Sequence, residues 1–357
     1  MSLFWYNKGM FGRRRRTIGE KIRRLFFYVI LLVIAGSFIF FFVGKTEPAE
    51  NIKWGVTYAK EYSNYLSLDW QKMYLSILDD LQVSHIRIAI PWKDIEREKD
   101  IFTFDDYHFM LKAAQERGVS VVPVIGHRTP RWPECHTPDW VVALSERELS
   151  ERTLLLIEKE VNEFKQYDNI SMWQVENEPL VKFFGRCPSI PADLLGREIE
   201  RVKSLDGRPI MTTDSGEWGK WGKAAAQVDV LGVTMYRWVW NKFPKYFKYP
   251  FPSIFYARKA GMLKKEHPNL RVIGSELQME PWLPERSYND VPLDEQHITM
   301  NLTQFKENIE FAKNSGFDEH YLWGVEWWYW MKEVKGDDVF WEEAKNLWIQ
   351  DEMITKE

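Results

Sequence analysis

The chain has 357 residues, with 48 Lys or Arg against 52 Asp or Glu, a formal net charge of −4, 18 tryptophans and only two cysteines. Two cysteines exclude a disulfide-built scaffold and a cysteine zinc site, and the seven dispersed histidines form no His-x-His or HExxH pair, so no metal centre is expected. Residues 1–24 hold eight basic residues and one acidic, which leaves the remainder near −11, a poor match for a nucleic-acid backbone.

Leu25 to Val43 is an uncharged apolar run of nineteen residues. At about 1.5 Å per residue it reaches roughly 28 Å, close to the ~30 Å hydrocarbon core of a bilayer. A cleaved signal peptide has a shorter apolar region and a small-residue cleavage site, whereas Phe40, Phe41 and Phe42 stand at the exit of this one, so an uncleaved anchor is expected. Arg13 to Arg16, Lys21, Arg23 and Arg24 precede the run and only Lys45 closely follows it; the positive-inside rule then places the N-terminus in the cytoplasm and everything after Gly44 outside. The organisation expected is a basic tail over 1–24, a lipid-bilayer span over 25–43, a linker over 44–50 and one domain over 51–357. The length of that domain suits a (β/α)8 TIM barrel with insertions.

After the linker, apolar strand-like runs alternate with amphipathic helical stretches, the pattern of a parallel sheet. Strands are expected at Ile52–Tyr58, His85–Ile90, Val119–Gly126, Ile170–Asn177, Pro209–Thr213, Val228–Tyr236, Arg271–Leu277 and His320–Trp327. Helical periodicity falls between them at Trp70–Leu81, Tyr107–Arg117, Glu146–Phe164, Leu194–Leu205, Ile254–Glu266 and Leu302–Asn314. After the fifth strand only Ala224–Gln227 offers a helical turn. Gly118 before Val119, Asn269 before Arg271 and Gly316 before His320 are helix-stop residues. Eight such units in one run favour a closed barrel over an open doubly wound sheet.

In such a barrel the chemistry sits at the C-terminal ends of the strands. The fourth strand ends in WQVENEP, Trp173 to Pro179, which puts Glu178 at the mouth. The seventh reads RVIGSELQMEPW, and parity with Val272 and Gly274 points Glu276 into the barrel. Paired carboxylates are what glycoside hydrolysis needs: one protonates the leaving oxygen and the other attacks the anomeric carbon or activates water. Glu280, four residues past Glu276, is the alternative for the second group. No GxSxG, P-loop or dinucleotide fingerprint occurs, and no cofactor is expected.

Asn177-Glu178-Pro179 at the end of strand four, with a glutamate at the end of strand seven, resembles the clan A retaining glycoside hydrolases, over residues 51 to about 330. The resemblance implies a (β/α)8 fold, Glu178 as acid/base, Glu276 as nucleophile and Asn177 at the sugar 2-hydroxyl. It further implies that Arg87 in IRIAIPW supports the nucleophile, that Tyr236 in VTMY hydrogen-bonds it, that His127 is a polar ligand from strand three and that Trp327 in LWGVEWW floors the sugar subsite, with Trp328 as the alternative. Pro91 to Phe104 resembles cellulase-like and β-galactosidase-like members.

Many tryptophans fall at or after strand ends, and aromatic faces stack on pyranose rings, so Trp282 joins Trp327 as a candidate subsite residue. Glu176, Glu217, Asp214 and Glu326 are also strand-end acids and are expected as hydrogen-bonding partners. Cys135 and Cys187 follow strands three and four, neighbours in a barrel, and a bridge between them stays open. The expected activity is that of a retaining glycosidase acting on an oligosaccharide, polysaccharide or glycoconjugate. A transglycosylase using the same residues and a non-catalytic glycan-binding barrel are the alternatives.

Overall fold

A computed structural model describes residues 17–283 and 287–354, with side chains through residue 349, in two compact units divided between Gly44 and Lys45. In the first, Ile18–Phe42 forms one α-helix. The Thr17 hydroxyl accepts from the Glu20 amide at 3.3 Å while the Glu20 carboxylate accepts from the Thr17 amide at 3.1 Å. This capping box starts the helix seven residues ahead of the apolar run at Leu25. No side chain of the helix is buried, and it is long and apolar enough to cross a membrane.

The second unit is a closed barrel of eight parallel strands: β1 Lys53–Tyr58, β2 His85–Ala89, β3 Ser120–Ile125, β4 Trp173–Val175, β5 Ile210–Asp214, β6 Val230–Met235, β7 Arg271–Gln278 and β8 Glu319–Trp323. Each strand pairs with its sequence neighbours, and β8 closes on β1. The main core lies between the strands and the surrounding helices, where β-branched residues such as Val56, Ile86, Ile88 and Val121 meet helical Leu, Ile and Phe. Inside the barrel a second cluster, Val122, Met172, Met211, Val230, Ile273 and Tyr321, fills the lower half and forms the floor under the mouth.

That inner cluster corrects the parity expected for Glu276. Ile273 faces the barrel interior, while Val272 belongs to the outer core and a Cβ on Gly274 would meet the His320 ring at 2.2 Å. Simple alternation from Val272 would turn Glu276 outward. The register slips instead: Val233 pairs Gly274 but Thr234 pairs Glu276, and on the other side the shift falls between His320 and Leu322. A bulge at Ser275 therefore returns Glu276 to the interior.

The eight expected strands are present with different limits. The strand expected over Ile170–Asn177 shortens to Trp173–Val175, because Glu176 and Glu178 are left-handed, at φ 59 and 46. The one expected over His320–Trp327 stops at Trp323, because Gly324 at φ 141 breaks it and helix Val325–Trp330 begins. A Cβ on Gly324 would meet Glu280 Cβ at 2.7 Å, so the break and the close approach of the β7 loop need the same glycine. After β5 the helix is only Gly222–Ala225. A hairpin, Trp238–Asn241 with Lys245–Lys248, follows β6 and had no expected counterpart. The C-terminal helix Val339–Ile354 reaches back to β1 through Trp348, whose indole donates to Trp54 O at 2.9 Å.

Candidate active site

Arg87, on β2 and wholly buried, organises the mouth. Its Nε donates to Gln174 Oε1 at 2.6 Å and Nη2 to Asn177 Oδ1 at 2.7 Å. Nη1 reaches Thr57 Oγ1 at 3.2 Å, Ser275 O at 3.3 Å and Glu276 Oε1 at 3.2 Å. A guanidinium removed from water needs this many acceptors. They come from β1, β4 and β7, so one side chain fixes three strand ends against each other. Tyr236, just past β6, donates to Glu276 Oε2 at 3.0 Å. Burial and then the Glu276 charge hold the phenol well above its usual range, so it keeps the proton it donates. Both oxygens of Glu276 thus have a donor.

Glu178 is different. Its amide donates to Thr213 Oγ1 at 2.7 Å, but its carboxyl makes no hydrogen bond among the described residues, and the residue as a whole is 8% exposed. Burial, followed by the charges of Glu276 and Glu134, raises its pKa well above the usual carboxylate range. Its surroundings thus favour the protonated form, in contrast to the Glu276 carboxylate, which two donors hold.

Glu134 was not singled out from sequence. It lies in the loop after β3, left-handed at φ 73, and its carboxylate accepts from Asn177 Nδ2 at 3.0 Å with Arg128 Nε at 3.6 Å. Burial pushes it up to about 7; Arg128 opposes the rise and Glu276 adds to it. The loop is fastened to the one after β4. Cys135 and Cys187 are disulfide-bonded, Arg186 N donates to Pro133 O at 2.9 Å, and Arg128 donates to Val181 O at 2.7 Å and Phe184 O at 3.0 Å. Sequence carried one signal, the density of charged and aromatic residues in RTPRWPECH after strand three.

Asn177 is 1% exposed, and its Oδ1 accepts from Arg87 and, at 3.0 Å, from Thr213 Oγ1. His127 sits at the end of β3 with Nε2 2.7 Å from Thr137 Oγ1 and its ring edge-on to Trp92. Burial first, then His136, lowers its pKa to about 4, so it is neutral near pH 7. Trp282 is half-buried, packs edge-on against Tyr236 at 5.0 Å and lies 6.1 Å from Phe184, which leads on to the exposed Trp132.

Trp327 does not floor the mouth. It is fully buried in helix Val325–Trp330, donates to Gln296 Oε1 at 2.8 Å and packs 4.5 Å from Phe340. Trp328 is buried too, on Met279 O. The early break at Gly324 carries both into the core, and Trp323 at the end of β8 takes the facing position. Its ring lies 4.2 Å from the Arg131 guanidinium, with Tyr62 at 4.0 Å on the other side, and its indole donates to Glu280 Oε1 at 2.8 Å. Glu280, the alternative second carboxylate, is paired with Arg131, which also holds Glu326. Of the other strand-end acids, Glu176 accepts from the His127 and Arg128 amides, Asp214 from the Ser215 and Trp221 amides, and Glu217 from Tyr256 OH and the Tyr236 amide.

Solved glycoside hydrolases share this architecture. A family 10 endo-β-1,4-xylanase from Gloeophyllum trabeum is 15% identical at a TM-score of 0.51, with 77% of this chain and 85% of that one covered. Xylanase 10B from Thermotoga maritima is 16% identical at 0.53, covering 84% and 97%. A β-galactosidase from Halorubrum lacusprofundi is 13% identical at 0.52, covering 76% and 52%. The chain has their barrel fold. At these identities the likeness speaks for the fold alone. No family model matches the sequence, and no curated protein is detectably similar to it.

Proposed function

We propose that the chain is a membrane-anchored glycosidase that cleaves O-glycosidic bonds with retention of configuration. In this reading Glu276 Oε attacks the anomeric carbon as the bond to the leaving oxygen breaks, and Glu178 gives its proton to that oxygen. Water then attacks the glycosyl ester, gives its proton to Glu178 and releases Glu276. Arg87 and Tyr236 hold the nucleophile at both oxygens. Asn177, fixed by Arg87 and Thr213, keeps one amide hydrogen for the sugar, and Trp282 with Tyr236 forms an aromatic wall.

The observation that carries the proposal is the unequal pair: Glu276 hydrogen-bonded by Arg87 and Tyr236 at its two oxygens, and Glu178 buried, with no hydrogen bond to its carboxyl among the described residues and a pKa raised by burial and by the charges of Glu276 and Glu134. The fold and the strand ends carrying the two residues agree with it. The helix Ile18–Phe42, the basic residues ahead of it and a closed Cys135–Cys187 disulfide support residues 1–24 in the cytoplasm and the barrel over 51–357 in an oxidising compartment outside.

The test is hydrolysis of aryl glycosides by the full-length chain in detergent, with the anomeric product followed by proton NMR. Retention is expected, with loss of activity in Glu178→Gln and Glu276→Gln. Inversion, or undiminished turnover in either variant, would overturn the assignment. A glycan-binding barrel without catalysis would bind and release the same sugars unchanged.

A further inference from the structure

The loops after β4, β5 and β6, residues 176–193, 215–221 and 236–252, largely separate their charges by direction. Of their acids, Glu176, Glu178 and Glu217 are buried in the site, and only Asp193, at the start of helix Leu194–Leu205, is exposed. Their other exposed charges are positive: Lys182 and Arg186 after β4, Lys220 after β5, with Lys223 on the short helix that follows, and Lys242, Lys245 and Lys248 on the hairpin. This occurs on a chain whose residues beyond 24 sum to about −11, so the patch runs against the charge of the rest. Lys182, Lys220, Lys242 and Lys245 make no ion pair among the described residues, whereas Lys248 reaches Glu307 at 3.4 Å. Exposed aromatics lie among them: Trp218 is 57% exposed, and Trp132, under the Arg186 guanidinium at 5.2 Å, is 47% exposed.

Resting on the glycosidase reading above, we infer that the substrate is an acidic glycan, with carboxylate, phosphate or sulfate groups on the residues flanking the sugar that is cleaved. At the point of cleavage the site cannot accept an added anion. Arg87, Arg128 and Arg131 are each paired with a carboxylate, and Glu178, Glu276 and Glu134 already crowd one another. The positive arc begins outside that ring of carboxylates, on three loops that leave adjacent strands. Cations there attract and orient a polyanion, and Trp132 and Trp218 supply faces for the sugar rings between its charges. A bilayer bound by the same lysines would lie across the three loops and close the opening that a polymer must enter, which favours the glycan.

The test pairs charged and neutral forms of one backbone: carboxymethyl- against hydroxyethyl-cellulose, and polygalacturonate against its methyl ester. Retention in affinity gels and hydrolysis are both measured for the full-length chain in a zwitterionic detergent. The acidic member of a pair is expected to be favoured, and binding should weaken as salt is raised. A Lys182→Glu/Lys220→Glu/Lys242→Glu/Lys245→Glu variant should lose roughly tenfold or more in affinity for it. The neutral partner should be little affected, and the Lys→Gln set should fall between. These side chains are exposed, and an unchanged Tm checks that the variant is folded. Equal use of both members, or no effect of charge reversal, overturns the inference while leaving the glycosidase reading standing. Binding to phosphatidylglycerol vesicles without binding to any acidic glycan overturns it as well. Selective, lysine-dependent retention of acidic glycans by both wild type and Glu276→Gln with no hydrolysis of anything supports the rim and removes the glycosidase reading.

Discussion

Asn177 gives an amide hydrogen to Glu134 at 3.0 Å, and through that bond a residue of the β3 loop is tied to the residue preceding Glu178. Glu134 also contributes through its charge to the raised pKa of Glu178. The Glu134→Gln variant keeps the hydrogen-bond acceptor and removes the charge. Glu178 should then release its proton at lower pH, so the alkaline limb of kcat/KM moves to the acid side. A pH profile checks this; a limb that stays in place or moves to higher pH contradicts the electrostatic role.

The phenol of Tyr236 faces a carboxylate, and hydrogen bonds to charged groups contribute about 1.5–3 kcal/mol. Tyr236→Phe should accordingly lower kcat by roughly ten- to a hundredfold with the fold intact. Steady-state kinetics with an aryl glycoside, beside a thermal melt, separates this from simple unfolding.

Trp327 and Trp282 should separate in opposite directions. Trp327→Ala opens a cavity in the core and should cost about 3–5 kcal/mol of stability. Trp282→Ala removes a half-buried ring from the aromatic wall and should raise KM with a smaller loss of stability than Trp327→Ala. Denaturant titration and kinetics on both variants test whether Trp327 serves the core and Trp282 the site.

Glu160 and Glu198, on the helices Glu146–Phe164 and Leu194–Leu205, are buried, and burial followed by the Glu176 charge raises Glu198 well above its usual value. Glu160 is also raised well above it, by burial, with the Gly126 hydrogen bond opposing. Among the described residues, both Glu198 oxygens and Glu160 Oε1 lack a hydrogen-bond partner. A carboxyl whose native pKa exceeds its unfolded value near 4.3 favours the native state fully below that pH, and the benefit is lost as pH rises through the native value. Glu198→Gln should therefore raise Tm over wild type at alkaline pH, with the gain shrinking toward pH 4. A gain independent of pH would place the effect in packing.

Cys135→Ser/Cys187→Ser removes a link across 52 residues, for which chain entropy allows up to about 4 kcal/mol of lost stability. Because Glu134 adjoins Cys135, the loss should extend to the Asn177–Glu134 contact. The double variant should show a lower kcat, and added dithiothreitol should lower kcat of the wild-type protein likewise while leaving the double variant unchanged.

The barrel was legible because the strands are apolar runs, three of them preceded by helix stops at Gly118, Asn269 and Gly316, and Glu178 because NEP closes such a run. Glu276 was found by a parity argument that fails in detail: the residue faces inward through the bulge at Ser275, which single-strand alternation does not reveal. Trp327 was misplaced because LWGVEWW continues the apolar pattern of β8, and only the backbone at Gly324 marks where strand becomes helix. Glu134 and Arg131 escaped because they lie in an irregular loop, where side-chain direction follows from left-handed backbone and the disulfide rather than from any period.

The Cys135–Cys187 link also bears on how such a barrel can be altered. It binds the segment that carries Glu134 to the segment beyond Asn177 and Glu178, so the two behave as one interchangeable cassette. Grafting the third loop from another barrel without its neighbour would strand a thiol, release the backing of Asn177 and disturb the proton donor without touching it. Redesign of specificity here has to move both segments together, or begin at the hairpin after β6, which no covalent bridge joins to another loop.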